Sequence, residues 1–408
     1  MLYNAFSYLY WVGVGVATVF SKKVKMMWDG ERDTFHILRD KLEPGARYLW
    51  FHAASLGEFE QGRPLMEKIK KEHPEYKIVL TFFSPSGYEV RKNYEGADII
   101  CYLPLDTPYN AHRFIEAIHP EMAFFIKYEF WNNYLSTLKK NNIPVYSVSS
   151  IFRKEQAFFK WYGGGYAKVL NNLAYFFVQN EESKQLLHSI GLDNAEVVGD
   201  TRFDRVLQIK EAAKQLPIVE NFVGTTKNVF VAGSSWQPDE EIFIKYFNQH
   251  KDWKLIIAPH VIGEDHLKQI LKLLEGRKVV RYTQANSDSV KDAEVLIIDC
   301  FGLLSSIYNY GTVSYVGGGF GVGIHNTLEA AVWNMPVIFG PNNKKFQEAQ
   351  GLLKAKGGFE INNASDFGKL MDKFSSDAEA LKSAGDAAGT FVASLSGATD
   401  KVLAKVKL

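Results

Sequence analysis

The sequence predicts an α/β protein of two doubly wound parallel sheets in tandem, preceded by an uncharged N-terminal helix. Three observations carry that expectation. Short, continuous apolar runs alternate with amphipathic stretches, the pattern of parallel strands covered by helices on both faces. The 408 residues are enough for two or three separate cores. Loops of small residues or glycine follow two of the runs directly, at the strand ends where such sheets bind ligands. With 46% hydrophobic and 23% charged residues the composition is that of a globular protein, not a disordered one. A net charge of +1 lacks the concentrated basic excess of a nucleic-acid binder, so no nucleic-acid partner is expected. Cys101 and Cys300 stand far apart with no metal spacing, fitting packed thiols in a reducing compartment.

In chain order, residues 2–21 carry no charged side chain and include Tyr3, Tyr8, Tyr10, Trp11 and Phe20. About twenty such residues just span a bilayer core as a helix. Lys22, Lys23 and Lys25 follow, which would leave the rest of the chain in the cytoplasm. No basic residue precedes the run and no small-residue cleavage site ends it, which disfavours a signal peptide. Asn4, Ser7 and the aromatic content also suit a helix lying in the interface. Either way residues 1–21 read as a membrane anchor.

Strands are expected at 47–53, 77–84, 99–105, 122–129, 144–150 and 175–180, with helices such as "PLMEKIKKEH" between them. A second series follows at 196–199, 228–234, 254–260, 278–283, 294–300, 313–319 and 335–340. The domains are placed at 22–205 and 206–408.

Several chemistries are excluded. "GGGFGVGIHN" (317–326) fails the G-x-G-x-x-G spacing, and no acidic residue follows at the ribose position, so dinucleotide binding is disfavoured. P-loop, H-E-x-x-H, C-x-x-C and G-x-S-x-G patterns are absent, as is an Asp-x-Asp run, and no cofactor or metal site is expected. Two stretches remain. In "WFHAASLGEFEQGRPL" (50–65) a strand ends, small residues follow, and Glu58 stands where a helix begins. It either complements the helix dipole or serves as a base at a cleft mouth. In "YVGGGFGVGIHNTLEAAVWNMPVIFGP" (315–341), Asn326 and Glu329 lie three apart on one face. They form either a capping arrangement or a carboxylate aimed at a ribose diol beside an anion site.

Several ordered motifs resemble the Kdo transferases, the 3-deoxy-D-manno-octulosonic acid transferases of lipopolysaccharide assembly. "HAASLGE" (52–58) resembles the family's H-x-x-S-x-G-E and "YEFWNN" (128–133) its T-E-L-W-P-N. "GDTRFD" (199–204) is similar to G-N-L-K-F-D, and "AGSSWQPDEE" (232–241) to an A-G-S-T run with an acidic tail. "VGGGF", "HNTLEAA" and "PVIFGP" resemble its V-G-G-S and H-N-P-L-E-P-A blocks and the strand after them. The resemblance implies a GT-B fold, two Rossmann-like domains facing a central cleft. It also implies an inverting transfer of Kdo from CMP-Kdo to a lipid A precursor at the cytoplasmic face of the inner membrane.

By that resemblance Glu58 is the general base, removing the acceptor proton as the hydroxyl attacks the anomeric carbon. Lys127 replaces the first Glu of the family's E-T-E-L-W, and Glu129 keeps the second. Arg202 keeps a cation that either balances charge on the leaving phosphate or pairs with Asp200 or Asp204. On the donor side, Pro259 and His260 align with the family's Pro-Arg, where His removes a bidentate phosphate contact. Phe301, Gly302 and Leu303 fall on its G-E-L loop, with Leu303 in place of Glu, and Asn326, Thr327, Leu328 and Glu329 match its H-N-P-L-E block. Lys22, Lys23, Lys25, Arg32 and Arg39 would meet anionic headgroups and the acceptor phosphates. Two other readings remain open: a lipid-linked GT-B enzyme using a UDP-sugar, and a membrane-tethered nucleotide-binding protein without catalysis.

Overall fold

The computed structural model describes residues 2–408, so Met1 of the expected anchor lies outside the described residues. The chain forms two compact units, one of residues 1–205 and 396–408, the other of residues 206–395.

In the first unit the strands are β1 (Arg47–Ala53), β2 (Tyr76–Phe82), β3 (Ile99–Tyr102), β4 (Met122–Ile126), β5 (Val145–Ser150), β6 (Tyr175–Val178) and β7 (Ala195–Val197). They make one sheet in the order β3-β2-β1-β4-β5-β6-β7, and every pairing is parallel. Strand order reverses between β1 and β4, the switch point where such a sheet opens at its carboxyl edge. Trp50 fixes the centre: its ring meets Phe114, Phe125 and Tyr134 at 5.0–5.6 Å, while its indole N–H donates to Thr81 at 2.8 Å. Residues 196–199 belong to this sheet through β7, not to the second series, because β7 pairs with β6.

The uncharged N-terminal segment is not one element. Helix α1 (Leu2–Ala17) ends before Ser21, whose extended backbone and side chain cap the basic helix α2 (Lys22–Lys41). Sixteen residues make a helix of about 24 Å, against ~30 Å of hydrocarbon. Among the described residues no helix is long and apolar enough to cross a membrane. One side of α1 packs down, with Val14 buried, Trp11 against Trp28 at 5.1 Å and the Tyr3 hydroxyl donating to Asp106 at 2.6 Å. The other side leaves Phe6, Leu9, Val12 and Val16 exposed, and Val19 and Phe20 extend that surface.

In the second unit the strands are β8 (Val229–Ser235), β9 (Lys254–Pro259), β10 (Val279–Arg281), β11 (Val295–Ile297), β12 (Val313–Val316), β13 (Val337–Phe339) and β14 (Gly358–Glu360). Their order, β10-β11-β9-β8-β12-β13-β14, repeats the doubly wound pattern, with the reversal between β8 and β12. The last residues depart from the expected 206–408 domain. Helix Ala398–Lys405 returns to the first unit, where Ala398, Val402 and Val406 join the core cluster of Leu65, Ile69 and Phe177. Asp204 holds its start, accepting from Gly397 N at 2.5 Å and Thr399 N at 2.7 Å.

Candidate functional site

In the first unit the site grows from the carboxyl edge at the β1/β4 reversal. After Ala53 the chain turns through Ala54 and Ser55 into α3 (Leu56–Glu72), with Ser55 at the N-cap and Glu58 in the first turn. The Ser55 hydroxyl donates to Glu58 Oε2. The other carboxylate oxygen stands 3.5 Å from Lys127 Nζ, the first residue after β4. Lys127 has φ +65°, a left-handed conformation that costs a non-glycine residue about 1–2 kcal/mol. Its N–H donates to Val148 O at 2.8 Å and its carbonyl accepts from the Ser147 hydroxyl at 3.2 Å. Backbone held out of its preferred region by its surroundings clusters at functional sites.

Glu129 lies two residues on and has different neighbours. Its Oε2 accepts from the Trp131 indole at 3.0 Å and lies 3.8 Å from Nε2 of the fully buried His52. His52 Nδ1 is 2.9 Å from the Thr81 hydroxyl. A third group stands one turn along α3: Gln61 donates to Asp200 at 3.0 Å, and Asp200 accepts from Arg202 Nε at 2.9 Å and pairs with Nη2 at 2.8 Å. Although burial opposes its charge, Arg202 and these donors hold the Asp200 carboxyl below the usual carboxylate range. Arg202 therefore pairs with Asp200, and Asp204 is taken up by the C-terminal helix.

In the second unit the corresponding edge carries an aromatic stack. His260 follows the buried Pro259 at the end of β9 and lies between Trp236 (4.7 Å, 24°) and His325 (4.4 Å, 22°). Trp236 donates its indole N–H to His325 Nε2 at 3.1 Å, which leaves the proton on Nδ1 of a neutral ring. Burial lowers the pKa of His260; burial, then the neighbouring His260, push His325 down to about 4. Both imidazoles are therefore neutral at pH 7. His325 is charged less readily folded than unfolded, so its contribution is present above about pH 6.5 and is lost as pH falls toward 4. The urea midpoint should fall across that window, and His325→Asn should flatten the slope.

Glu329 is held from both sides, by Asn326 Nδ2 at 3.0 Å and the Ser305 hydroxyl at 2.8 Å. Asn326 Oδ1 accepts from Leu328 N at 3.1 Å. The segment after Asn326 forms a single helical turn, Leu328–Ala331, with Thr327 at its N-cap. It is too short for a substantial dipole. The Leu328 side chain is core, so only its backbone can meet a ligand, whereas the Thr327 hydroxyl is buried without a hydrogen-bond partner among the described residues. Gly302 turns at φ +85°, Leu303 begins the turn Leu304–Ile307, and the Phe301 ring is 77% exposed. The glycines expected to admit a ligand partly serve the fold. A Cβ on Gly317 would lie 2.3 Å from Ser234 O, and one on Gly319 2.6 Å from Gly340 Cα.

The comparisons with known proteins bear on the first of these edges directly. The family profile described as 3-Deoxy-D-manno-octulosonic-acid transferase (kdotransferase) matches residues 30–205. The first unit is thus similar in sequence to the Kdo transferases. Relatives extend the likeness over most of the chain. A 3-deoxy-D-manno-octulosonic acid transferase of Aquifex aeolicus is 28% identical over 326 residues, covering 78% of this chain and 83% of that protein. One of Haemophilus influenzae is 25% identical, covering 79% and 78%. A bifunctional glycosyltransferase/methyltransferase of Fusobacterium nucleatum is 27% identical, covering 80% of this chain and 52% of that longer protein. Among solved structures, UDP-GlcNAc 2-epimerase of Neisseria meningitidis bound to UDP-GlcNAc is 14% identical with a TM-score of 0.62, covering 88% of this chain and 98% of that one. At that identity the likeness is one of fold, a GT-B fold with two doubly wound α/β domains.

Within the first unit, Glu58 and Lys127 meet, while Glu129 and Arg202 each answer to other partners. Sequence reasoning passed over Ser55, Gln61 and Asp239. Ser55 was detectable from its S-x-x-E spacing to Glu58. Gln61 acts across a long sequence separation and left no local signal, whereas Asp239 is legible locally only as a helix cap for Trp236 N and reaches Tyr315 and Gly318 from far along the chain.

Proposed function

We propose that the chain is an inverting glycosyltransferase that moves Kdo from CMP-Kdo to a lipid A precursor (lipid IVA) in lipopolysaccharide assembly. One observation carries the reading: the first unit presents a carboxylate at its strand-order reversal, fixed by Ser55 on one oxygen and Lys127 on the other. Glu58 takes the proton of the acceptor hydroxyl while its oxygen bonds to the anomeric carbon. The bond from that carbon to the CMP phosphate breaks, and its electron pair leaves with CMP. Lys127 orients the base and returns a positive charge to the site once Glu58 is protonated. Asp200 shares the charge of Arg202, so Arg202 acts here by position more than as an isolated cation.

In the second unit Glu329 serves the ribose diol. The Ser305 hydroxyl and Asn326 amide fix its carboxylate in place, and a carboxylate so held is the acceptor that a ribose diol pairs with. The neutral His260 offers a hydrogen bond to phosphate and no formal charge, while Phe301 offers an exposed face to the base. The chain works at the cytoplasmic face of the inner membrane. There α1 lies in the interface with Phe6, Leu9 and Val16 toward lipid, and the basic start of α2 meets anionic headgroups.

Incubation with CMP-Kdo and a tetra-acylated precursor, followed by mass measurement, should show an acceptor heavier by one or more Kdo units. CMP should raise the melting temperature and UDP should not. Stabilisation by UDP alone would replace this donor with a UDP-sugar.

A further inference from the structure

A separate pocket of about 250 Å³ lies between α2 and the segment after β3, lined by Trp28, Glu31, Arg32 and Phe35, by Pro104, and by Asn110 and Arg113 of helix Pro108–Ile118. Behind that lining is the buried carboxyl group of Glu31, in an unusual state. Glu31 is only 7% exposed; one oxygen accepts from Leu105 N at 3.2 Å, and the other is buried with no partner among the described residues. Burial pushes the group up to about 8, so at neutral pH it holds its proton. Since Oε2 accepts the Leu105 N–H, the proton belongs on Oε1, which makes the orphan oxygen a donor. The nearby phenols do not supply a charge, because burial raises both Tyr102 and Tyr134 above the ordinary phenol range.

Two guanidiniums stand at the rim, and among the described residues no carboxylate lies within ion-pair distance of either. That of Arg113 is set 3.8 Å over the Phe35 ring, which fixes its position while leaving its edge for a ligand. Arg39, farther along α2, differs in being paired with Asp40 at 2.9 Å. Two unpaired planar forks beside a carboxyl that carries no charge suit a compact tetrahedral dianion and do not suit a cation.

We propose that this pocket binds a phosphate monoester. Two sources share that chemistry, a lipid headgroup and a soluble phosphate compound. The exposed apolar side of α1, which runs directly into α2, makes the lipid source reachable. The proposal rests on this pocket alone and stands whether or not the chain transfers Kdo.

The test uses the full chain and its Arg32→Gln, Arg113→Gln, Glu31→Gln and Arg39→Gln variants. Melting temperature is followed against inorganic phosphate, with chloride at matched ionic strength as reference. Phosphate should stabilise the parent. The half-saturating concentration should rise about tenfold in either Arg32→Gln or Arg113→Gln, the scale of one charged hydrogen bond. It should stay unchanged in Arg39→Gln and in Glu31→Gln, whose amide still donates. In parallel, co-sedimentation compares phosphatidylcholine vesicles carrying phosphatidic acid with vesicles carrying phosphatidylserine at equal surface charge. Preference for phosphatidic acid that disappears in Arg113→Gln assigns the site to a lipid headgroup. Phosphate stabilisation with no vesicle preference assigns it to a soluble phosphate. Absence of both effects in the parent overturns the proposal, as does an equal loss in Arg39→Gln. Loss of phosphate binding in Glu31→Gln would overturn the assigned role of its proton.

Discussion

Glu58→Gln is expected to lower the rate of Kdo transfer by a factor of about 10²–10⁴, the range lost when a positioned general base is removed. The substitution is nearly isosteric. Its amide oxygen can still accept from the Ser55 hydroxyl, so the first turn of α3 should keep its form. What disappears is the group that can take a proton, together with the charge facing Lys127. CMP-induced stabilisation should be unchanged, because the nucleotide is assigned to the other unit. Single-turnover transfer with both substrates saturating is the measurement that checks this. Near-normal turnover would remove Glu58 from the mechanism, and a parallel loss of CMP stabilisation would show that the substitution acts through folding.

The second large effect is expected at Asp239, which the transfer reaction does not use directly. Its carboxylate accepts from three donors: the Trp236 N–H at 2.9 Å, the Gly318 N–H at 2.9 Å and the Tyr315 hydroxyl at 2.7 Å. The residue is 1% exposed, and burial raises its pKa against those hydrogen bonds. Asp239→Ala strands three donors, two of them in buried backbone or side chain. At about 1–3 kcal/mol for each buried group left unpaired, the loss should be about 3 kcal/mol or more. It should appear as a lower urea midpoint for residues 206–395. Since the same carboxylate ties the glycine loop after β12 to the start of helix Gln237–Phe247, the CMP-induced shift in melting temperature should also shrink. Asp239→Asn, which keeps one acceptor oxygen, should fall between the two.

Much of this fold was legible because a strand buried on both faces must be apolar throughout. Every apolar run named from the sequence forms a strand. The ends were less legible. The run at 99–105 yields a strand only to Tyr102, since Leu103 and Leu105 are buried while making loop backbone. β14 went unnoticed because Gly358–Glu360 offers a single large apolar residue. In the site, Glu58 announced itself through its setting of small residues, and Asn326 with Glu329 through their spacing. The pairing of Glu58 with Lys127 was not readable, because it depends on β1 and β4 lying side by side though far apart in the chain. The extent of the N-terminal helix was misread for a local reason. Absence of charge marks all twenty residues alike, whereas α1 stops at Ala17 and the cap at Ser21 opens a new helix.

The C-terminal helix that returns to the first unit has a practical outcome for dissecting the molecule. A fragment stopped at Arg205 would lack Ala398, Val402 and Val406, baring the apolar side chains they cover and leaving the Asp204 carboxylate without its amide donors. Such a fragment should be sticky and poorly soluble, while residues 206–395, cut out at both ends, lose no part of their own interior. Joining Arg205 to Ser396 through a short Gly-Ser bridge should restore a soluble, cooperatively melting first unit.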